Sequence, residues 1–171
     1  MLKLPTLLTV LSLALVPALP AAAQLGLSGS FTVSRLSHPV GAVSSPTTLY
    51  GETVSVYYQR GTFFAYGGDA RASFLGGSGI SLNSGAIGPR VAFKPPAIPL
   101  QIYGEALGGF TSYTGGPSAN SISEAEYQLL VGGDYTLLPH IDWRVVEYTY
   151  TSASNSLSSH SLSTGIVVRL P

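Results

Sequence analysis

The chain contains no cysteine and very little charge. With zero cysteines it has neither a disulfide framework nor a thiolate metal site. Charged residues make up only 9% of the 171 residues, and the formal net charge is +0. This composition offers no basic field for nucleic acid and no acidic tail, so we expect no nucleic-acid partner. An ordinary soluble surface carries far more charge, and contact with lipid would account for the shortage.

Histidine is also scarce, and its spacing does not indicate a metal site. The three histidines are His38, His140 and His160, each in or beside a predicted loop or turn, with no H-x-x-x-H or H-E-x-x-H spacing. Ser161 and Ser163 lie near His160, as a lipid-hydrolysing site would require. Alternation, however, puts both serines on the opposite face of that strand from the histidine. We therefore predict no metal, no cofactor and no catalytic residues.

The amino terminus has the pattern of a cleavable signal peptide. One early positive charge, Lys3, precedes an apolar run over residues 7–16, and small residues follow up to Ala23. The alternative is a membrane anchor, but the apolar run is shorter than the ~20 residues that a spanning helix needs. We predict a signal peptide over residues 1–23 and one domain over residues 24–171.

After residue 24 the pattern is alternation of apolar and polar residues, which predicts strands rather than helices. The clearest case is the last stretch, where Leu162, Ile166 and Leu170 share one face and Ser163 and Arg169 share the other. Eight candidate strands follow this pattern, over residues 25–37, 49–59, 63–75, 80–94, 100–111, 123–137, 141–151 and 160–170. We predict an all-β fold, an eight-stranded antiparallel up-and-down transmembrane barrel whose last strand pairs with its first.

The connections differ in length at the two ends of the predicted barrel. Those at residues 60–62, 95–99 and 138–140 are short, whereas those at 38–48, 76–79, 114–122 and 152–159 are mostly longer and rich in glycine and serine. Short turns at one end and longer loops at the other are typical of outer-membrane barrels. The pattern predicts that both termini lie on the periplasmic side.

The predicted inner face carries most mid-strand charges: Asp69, Arg71, Arg90, Glu105, Glu126, Asp134 and Glu147. An eight-stranded barrel is just wide enough for side chains to fill it, and buried charges there must pair. If Lys94 lies opposite Gln101 in the hairpin at 95–99, Arg90 lies directly across from Glu105. We predict this ion pair, with Arg71 and Glu147 as further members of one network.

The seventh strand does not alternate cleanly, because Arg144 and Glu147 have opposite parity. We expect Glu147 to point inward together with Trp143 and Val145, and Val146 to point outward.

Several segments resemble the small outer-membrane β-barrel proteins with an OmpA-like transmembrane domain, in the version common in bacteria of the Acidobacteria type. The segments are residues 82–93 (LNSGAIGPRVAF), 103–110 (YGEALGGF), 130–135 (LVGGDY), 145–151 (VVEYTYT) and 162–170. The resemblance implies a monomeric barrel that the outer-membrane assembly machinery inserts into outer-membrane lipid. Two departures are the ending Arg169-Leu170-Pro171, which lacks the family's usual terminal aromatic, and the absence of a following peptidoglycan-binding domain.

Three functional interpretations follow. The favoured one is a structural or surface-interaction barrel of the outer membrane with a charge-paired, filled lumen, which is neither a pore for large solutes nor an enzyme. The second is a soluble, exported lipocalin-like barrel that binds an apolar ligand inside. The third is a lipid-modifying barrel enzyme. The direction of the apolar face distinguishes the first two interpretations, because a lipocalin needs apolar side chains in its lumen, whereas a membrane barrel needs them on its outer surface.

Overall fold

The computed structural model describes residues 23–37, 47–77, 79–115, 121–154 and 158–170. Eight strands account for almost all of them: β1 (Ala23–Leu36), β2 (Thr48–Arg60), β3 (Phe64–Gly77), β4 (Ile80–Phe93), β5 (Leu100–Gly115), β6 (Ser121–Leu138), β7 (Ile141–Ala153) and β8 (Ser158–Leu170). Residues 1–22, which hold most of the predicted signal peptide, and His38 lie outside the described residues.

Each strand pairs antiparallel with its sequence neighbours, and β1 also pairs with β8, so the sheet closes into an eight-stranded barrel. The predicted fold class is confirmed. Closure pairs every strand on both sides and leaves no free sheet edge. Within the part of the chain that the structure describes, no helix is long and apolar enough to cross a membrane.

Side chains alternate between the lumen and the outer surface along the strands, as a period of two requires, with an interruption in β7. Phe64 is 75% exposed and Val131 is 53% exposed, whereas Arg90 is 1% exposed and Glu105 is 6% exposed. The outer surface is therefore apolar and the lumen polar. This partition is the opposite of the one that a lipocalin-like ligand cavity needs.

The seventh strand contains a β-bulge that the sequence did not reveal. The register between β7 and β8 shifts between Arg144 and Glu147, so Val145 and Val146 both point outward. An extra residue of this kind reverses the parity of everything beyond it. The expected inward placement of Trp143 and Val145 is wrong, since both are exposed, and Arg144 and Glu147 are both fully buried in the lumen.

The two ends of the barrel differ less in connection length than expected. At the turn end, where Ala23 and Leu170 lie, the connections are residues 61–63, 94–99 and 139–140. At the loop end they are residues 37–47, 78–79, 116–120 and 154–157. The contrast in length therefore comes mainly from the connection at residues 37–47. Strand β3 runs beyond its predicted end to Gly77, which leaves a connection of only residues 78–79 before β4.

Candidate functional site in the barrel lumen

The lumen holds a cluster of ion-paired side chains, which we call the lumen network. Its members are Asp69, Arg71, Arg90, Glu105, Asp134, Arg144 and Glu147. All seven are buried, on strands from β3 to β7 whose inward positions meet near the barrel axis. The network joins residues far apart in sequence, because only closure of the sheet brings β3 and β7 to opposite walls of one lumen.

Arg71 is the most connected member of the lumen network. Its Nη1 and Nη2 donate to Glu147 Oε1 at 2.9 Å and Oε2 at 3.2 Å, which makes a bidentate pair across the barrel. Nη2 also donates to Glu105 Oε2 at 3.2 Å, and Nε to Asp69 Oδ1 at 3.5 Å. One guanidinium thus holds three carboxylates, which uses the planar fork that arginine offers and lysine lacks.

Arg90 lies directly across from Glu105 in the β4–β5 register, and the two form an ion pair. Its guanidinium is also stacked between two aromatic rings, 4.1 Å from the Tyr57 centroid and 3.8 Å from the Tyr103 centroid. Its Nη2 lies 3.6 Å from Asp134 Oδ2. Cation–π contact and ion pairing together offset the cost of removing this charge from water.

Arg144 is the member that sequence reasoning missed. Its Nε donates to Asp134 Oδ1 at 3.1 Å, and its Nη1 lies 3.1 Å from Glu147 Oε2. Alternation alone placed Arg144 and Glu147 on opposite faces, and the bulge places both inside. The signal available in the sequence was the pair Val145-Val146, two apolar residues between two charges, which fits a bulge better than a regular strand.

Two glycines make room for the aromatic rings of the lumen. A Cβ at Gly26 would lie 2.1 Å from Tyr57 Cζ, and one at Gly132 would lie 2.4 Å from the Tyr103 hydroxyl oxygen. Without side chains, these positions let both tyrosines lie across the lumen. The Tyr103 hydroxyl donates to Glu147 Oε2 at 2.7 Å. Both tyrosines therefore fill space beside the network, and Tyr103 also donates a hydrogen bond to it.

Glu126 points into the lumen as predicted from its parity, but the structure places it apart from the lumen network. Its Oε1 accepts a hydrogen bond from Gln128 Nε2 at 2.7 Å. In the described ranges, no lysine or arginine forms an ion pair with it. Of the predicted site residues, Asp69, Arg71, Arg90, Glu105 and Glu147 come together, and Glu126 does not.

An apolar cluster closes the lumen at the loop end. This apolar cap consists of Leu36, Leu49, Leu75, Ile80, Leu82 and Ala153, all buried. Between the cap and the lumen network lies a hydroxyl cavity of about 30 Å³, lined mostly by serine and threonine with Arg71 at one end and Leu75 and Leu82 at the other. Hydroxyl pairs such as Thr32 with Thr53 at 2.9 Å link neighbouring strands around it. Charged, hydroxyl and apolar layers thus fill successive levels of the barrel.

His160 does not form a hydrolytic site with the serines beside it in β8. His160 points outward, where its Nδ1 lies 2.6 Å from the Tyr148 hydroxyl. Ser161 points inward and donates to Ser34 Oγ at 2.9 Å. His140 lies in the β6–β7 turn with a positive φ of 70°. No group of three or more His, Cys, Asp or Glu side chains suited to a metal ion occurs among the residues described.

The architecture is that of a small, closed, membrane-type barrel, with an apolar exterior and a filled polar lumen. No protein-family model matches the chain, and a search of curated proteins finds no match. Solved structures do match. Neisserial surface protein A (NspA) is 15% identical with a TM-score of 0.61, over 84% of this chain and 96% of that one.

Two further structures give the same picture. Ail, the attachment invasion locus protein of Yersinia pestis, is 14% identical with a TM-score of 0.59, over 86% of this chain and 99% of that one. The outer membrane protein OprG from Pseudomonas aeruginosa is 11% identical with a TM-score of 0.52, over 87% and 96%. At these identities the likeness shows the fold: this chain folds as the small eight-stranded outer-membrane barrels do. The Acidobacteria-type affinity stays a prediction.

Proposed function

We propose that this protein is a monomeric barrel of the bacterial outer membrane with a structural or surface-interaction role and a lumen closed to large solutes. The observation that carries the proposal is the inside-out partition, with apolar side chains outside and the lumen network inside. The barrel is embedded in outer-membrane lipid, and the assembly machinery of that membrane inserts it. Both termini face the periplasm. Catalysis forms no part of the proposed role.

The outer surface supports the membrane location. Large apolar side chains stay exposed on every strand, for example Phe31, Ile87, Phe110, Leu129 and Ile166. A soluble monomer rarely exposes contiguous apolar patches beyond a few hundred Å², because water orders unfavourably around them. Lipid removes this cost. The same surface argues against the soluble lipocalin-like interpretation, since the described lumen is mainly polar and its apolar clusters are small.

Cell fractionation tests the location. We expect the protein in the outer-membrane fraction, released by detergent and retained after a high-salt wash, because apolar contact with lipid is insensitive to ionic strength. A periplasmic protein of the same host serves as the soluble control. Recovery in the soluble periplasm without detergent would contradict the proposal.

The lumen network supports the closed lumen. Its guanidinium and carboxylate groups cross the lumen from β3 to β7, and the network side chains are at most 3% exposed. Tyr57 and Tyr103 fill the level next to them. A large solute would have to break several ion pairs at once within a medium of low dielectric constant.

Planar-bilayer recording tests the closed lumen. We expect no large, stable conductance from the native protein. The charge-neutral double variant Arg90→Ser/Glu105→Ser removes the ion pair at the level of the two tyrosines and should produce a small ion conductance. The matched double variant Arg60→Ser/Glu52→Ser, which removes one positive and one negative charge from the outer surface, should stay silent. Steady large channels from the native protein would disprove the closed lumen.

A further inference from the structure

The hydroxyl cavity contains a buried carboxylate oxygen without a partner. Glu126 is 6% exposed, and its Oε1 is held by Gln128. The Ser84 hydroxyl is within hydrogen-bonding reach of the carboxyl group, but Oε2 has no partner of regular hydrogen-bond geometry among the residues that the structure describes. The hydroxyl of Thr111, which lines the same cavity, is likewise buried and unpartnered. Buried polar atoms in native proteins are nearly always satisfied, so two such oxygens facing one cavity call for a ligand.

The charges around the cavity favour a cation. The lumen network has four carboxylates, Asp69, Glu105, Asp134 and Glu147, against the three guanidiniums of Arg71, Arg90 and Arg144. Glu126 adds a fifth carboxylate, with no basic partner in the described part of the chain. An uncompensated negative charge in a closed lumen is costly, and a bound cation would neutralise it.

The lining indicates what kind of cation fits. Hydroxyl and carboxylate oxygens are hard ligands, which suit ions such as sodium or potassium and not soft transition metals. Among the described residues, Glu126 alone brings a carboxylate to the cavity, and divalent ions are usually held by more negative charge. The volume of about 30 Å³ accommodates a species of the size of one or two water molecules.

We propose that the hydroxyl cavity binds one monovalent alkali cation, with Glu126 Oε2 and the Thr111 hydroxyl among its ligands. The ion sits between the lumen network and the apolar cap. It neutralises Glu126 and adds a contact between β5 and β6. This assignment concerns the interior alone and does not depend on the surface role proposed above.

Thermal unfolding of the purified, detergent-solubilised full chain tests the site. NaCl or KCl is replaced by choline chloride at equal ionic strength, because choline is too large for the cavity. We expect the Tm of the native protein to be higher in the alkali salt by about 3 °C or more, since an ion that binds only the folded state stabilises it. Glu126→Gln should abolish this difference, whatever its Tm in choline chloride.

Matched variants separate binding from a general loss of charge. Glu52→Gln makes the same chemical change on the outer surface and should keep the full alkali effect. Thr111→Val keeps the size of the side chain and should weaken the effect, which provides a second test if Glu126→Gln does not fold. If the Tm of the native protein were the same in alkali salt and in choline chloride, the proposal would be overturned, because Glu126 would then be neutralised by a proton. An undiminished shift in Glu126→Gln would overturn it as well.

Discussion

Arg71→Met is expected to lower the free energy of unfolding by about 3–5 kcal/mol, because it leaves Asp69 buried without a cation and removes one of the two cationic partners of Glu105 and of Glu147. Arg71 contacts Glu147 with both terminal nitrogens and also reaches Glu105 and Asp69. Glu147 and Glu105 keep Arg144 and Arg90, but Asp69 has no other cation within ion-pair distance in the described chain. Urea unfolding of the protein in lipid vesicles measures the loss.

The control for this prediction is Arg60→Met, the same substitution on the outer surface at the turn end of β2, where Arg60 is exposed. We expect an effect within about 0.5 kcal/mol there, as for most surface changes. The double variant Arg71→Met/Asp69→Asn should recover part of the lost stability, since it also removes the carboxylate that is left without a cation. Equal stability of Arg71→Met and Arg60→Met would show that the lumen is hydrated enough to tolerate unpaired carboxylates.

Val131→Arg is expected to destabilise the barrel by about 2–4 kcal/mol in a bilayer, because it places a charge in the middle of the lipid-facing surface. Val131 is exposed on β6 between Tyr127 and Tyr135, which are also exposed. Tyrosines prefer the two membrane interfaces, so a position between them lies near the bilayer midplane. The folding equilibrium in vesicles measures the change.

Leu138→Arg provides the depth control, because Leu138 is an exposed apolar residue at the turn end of the same strand. Near the interface the expected cost falls to about 0–1 kcal/mol. A large difference between the two variants in vesicles supports burial of the outer surface in lipid. If both variants were neutral, the apolar exterior would not face a bilayer, and the proposed location would fail.

The local sequence pattern was enough to predict which way many of the lumen side chains point and one of their ion pairs. The hairpin that joins β4 and β5 is compact, so counting residues outward from it placed Arg90 opposite Glu105. The inward parity of Asp69, Arg71, Glu105 and Glu126 followed from alternation within single strands. Such inferences work because side chains on a strand change face at every residue, whatever lies on the other side of the barrel.

Contacts that depend on several strands at once could not be predicted from the local sequence pattern. The bulge in β7 depends on how that strand meets both of its neighbours, and it brings Arg144 into the lumen beside Asp134. The bidentate pair of Arg71 with Glu147 spans the barrel between residues 76 positions apart. Neither contact has a local signature, since each depends on the number of strands and on their stagger around the ring.

By itself the sequence determined the all-β class, the eight strands and the choice of an apolar exterior over an apolar lumen. These follow from a period of two and from scarce charge, which are properties of neighbouring residues. Only the tertiary structure decided which charges meet, that Glu126 is left apart in a hydroxyl cavity, and that leucines close the loop end. Closing the sheet creates the interior in which these groups become neighbours, and no single strand contains that information.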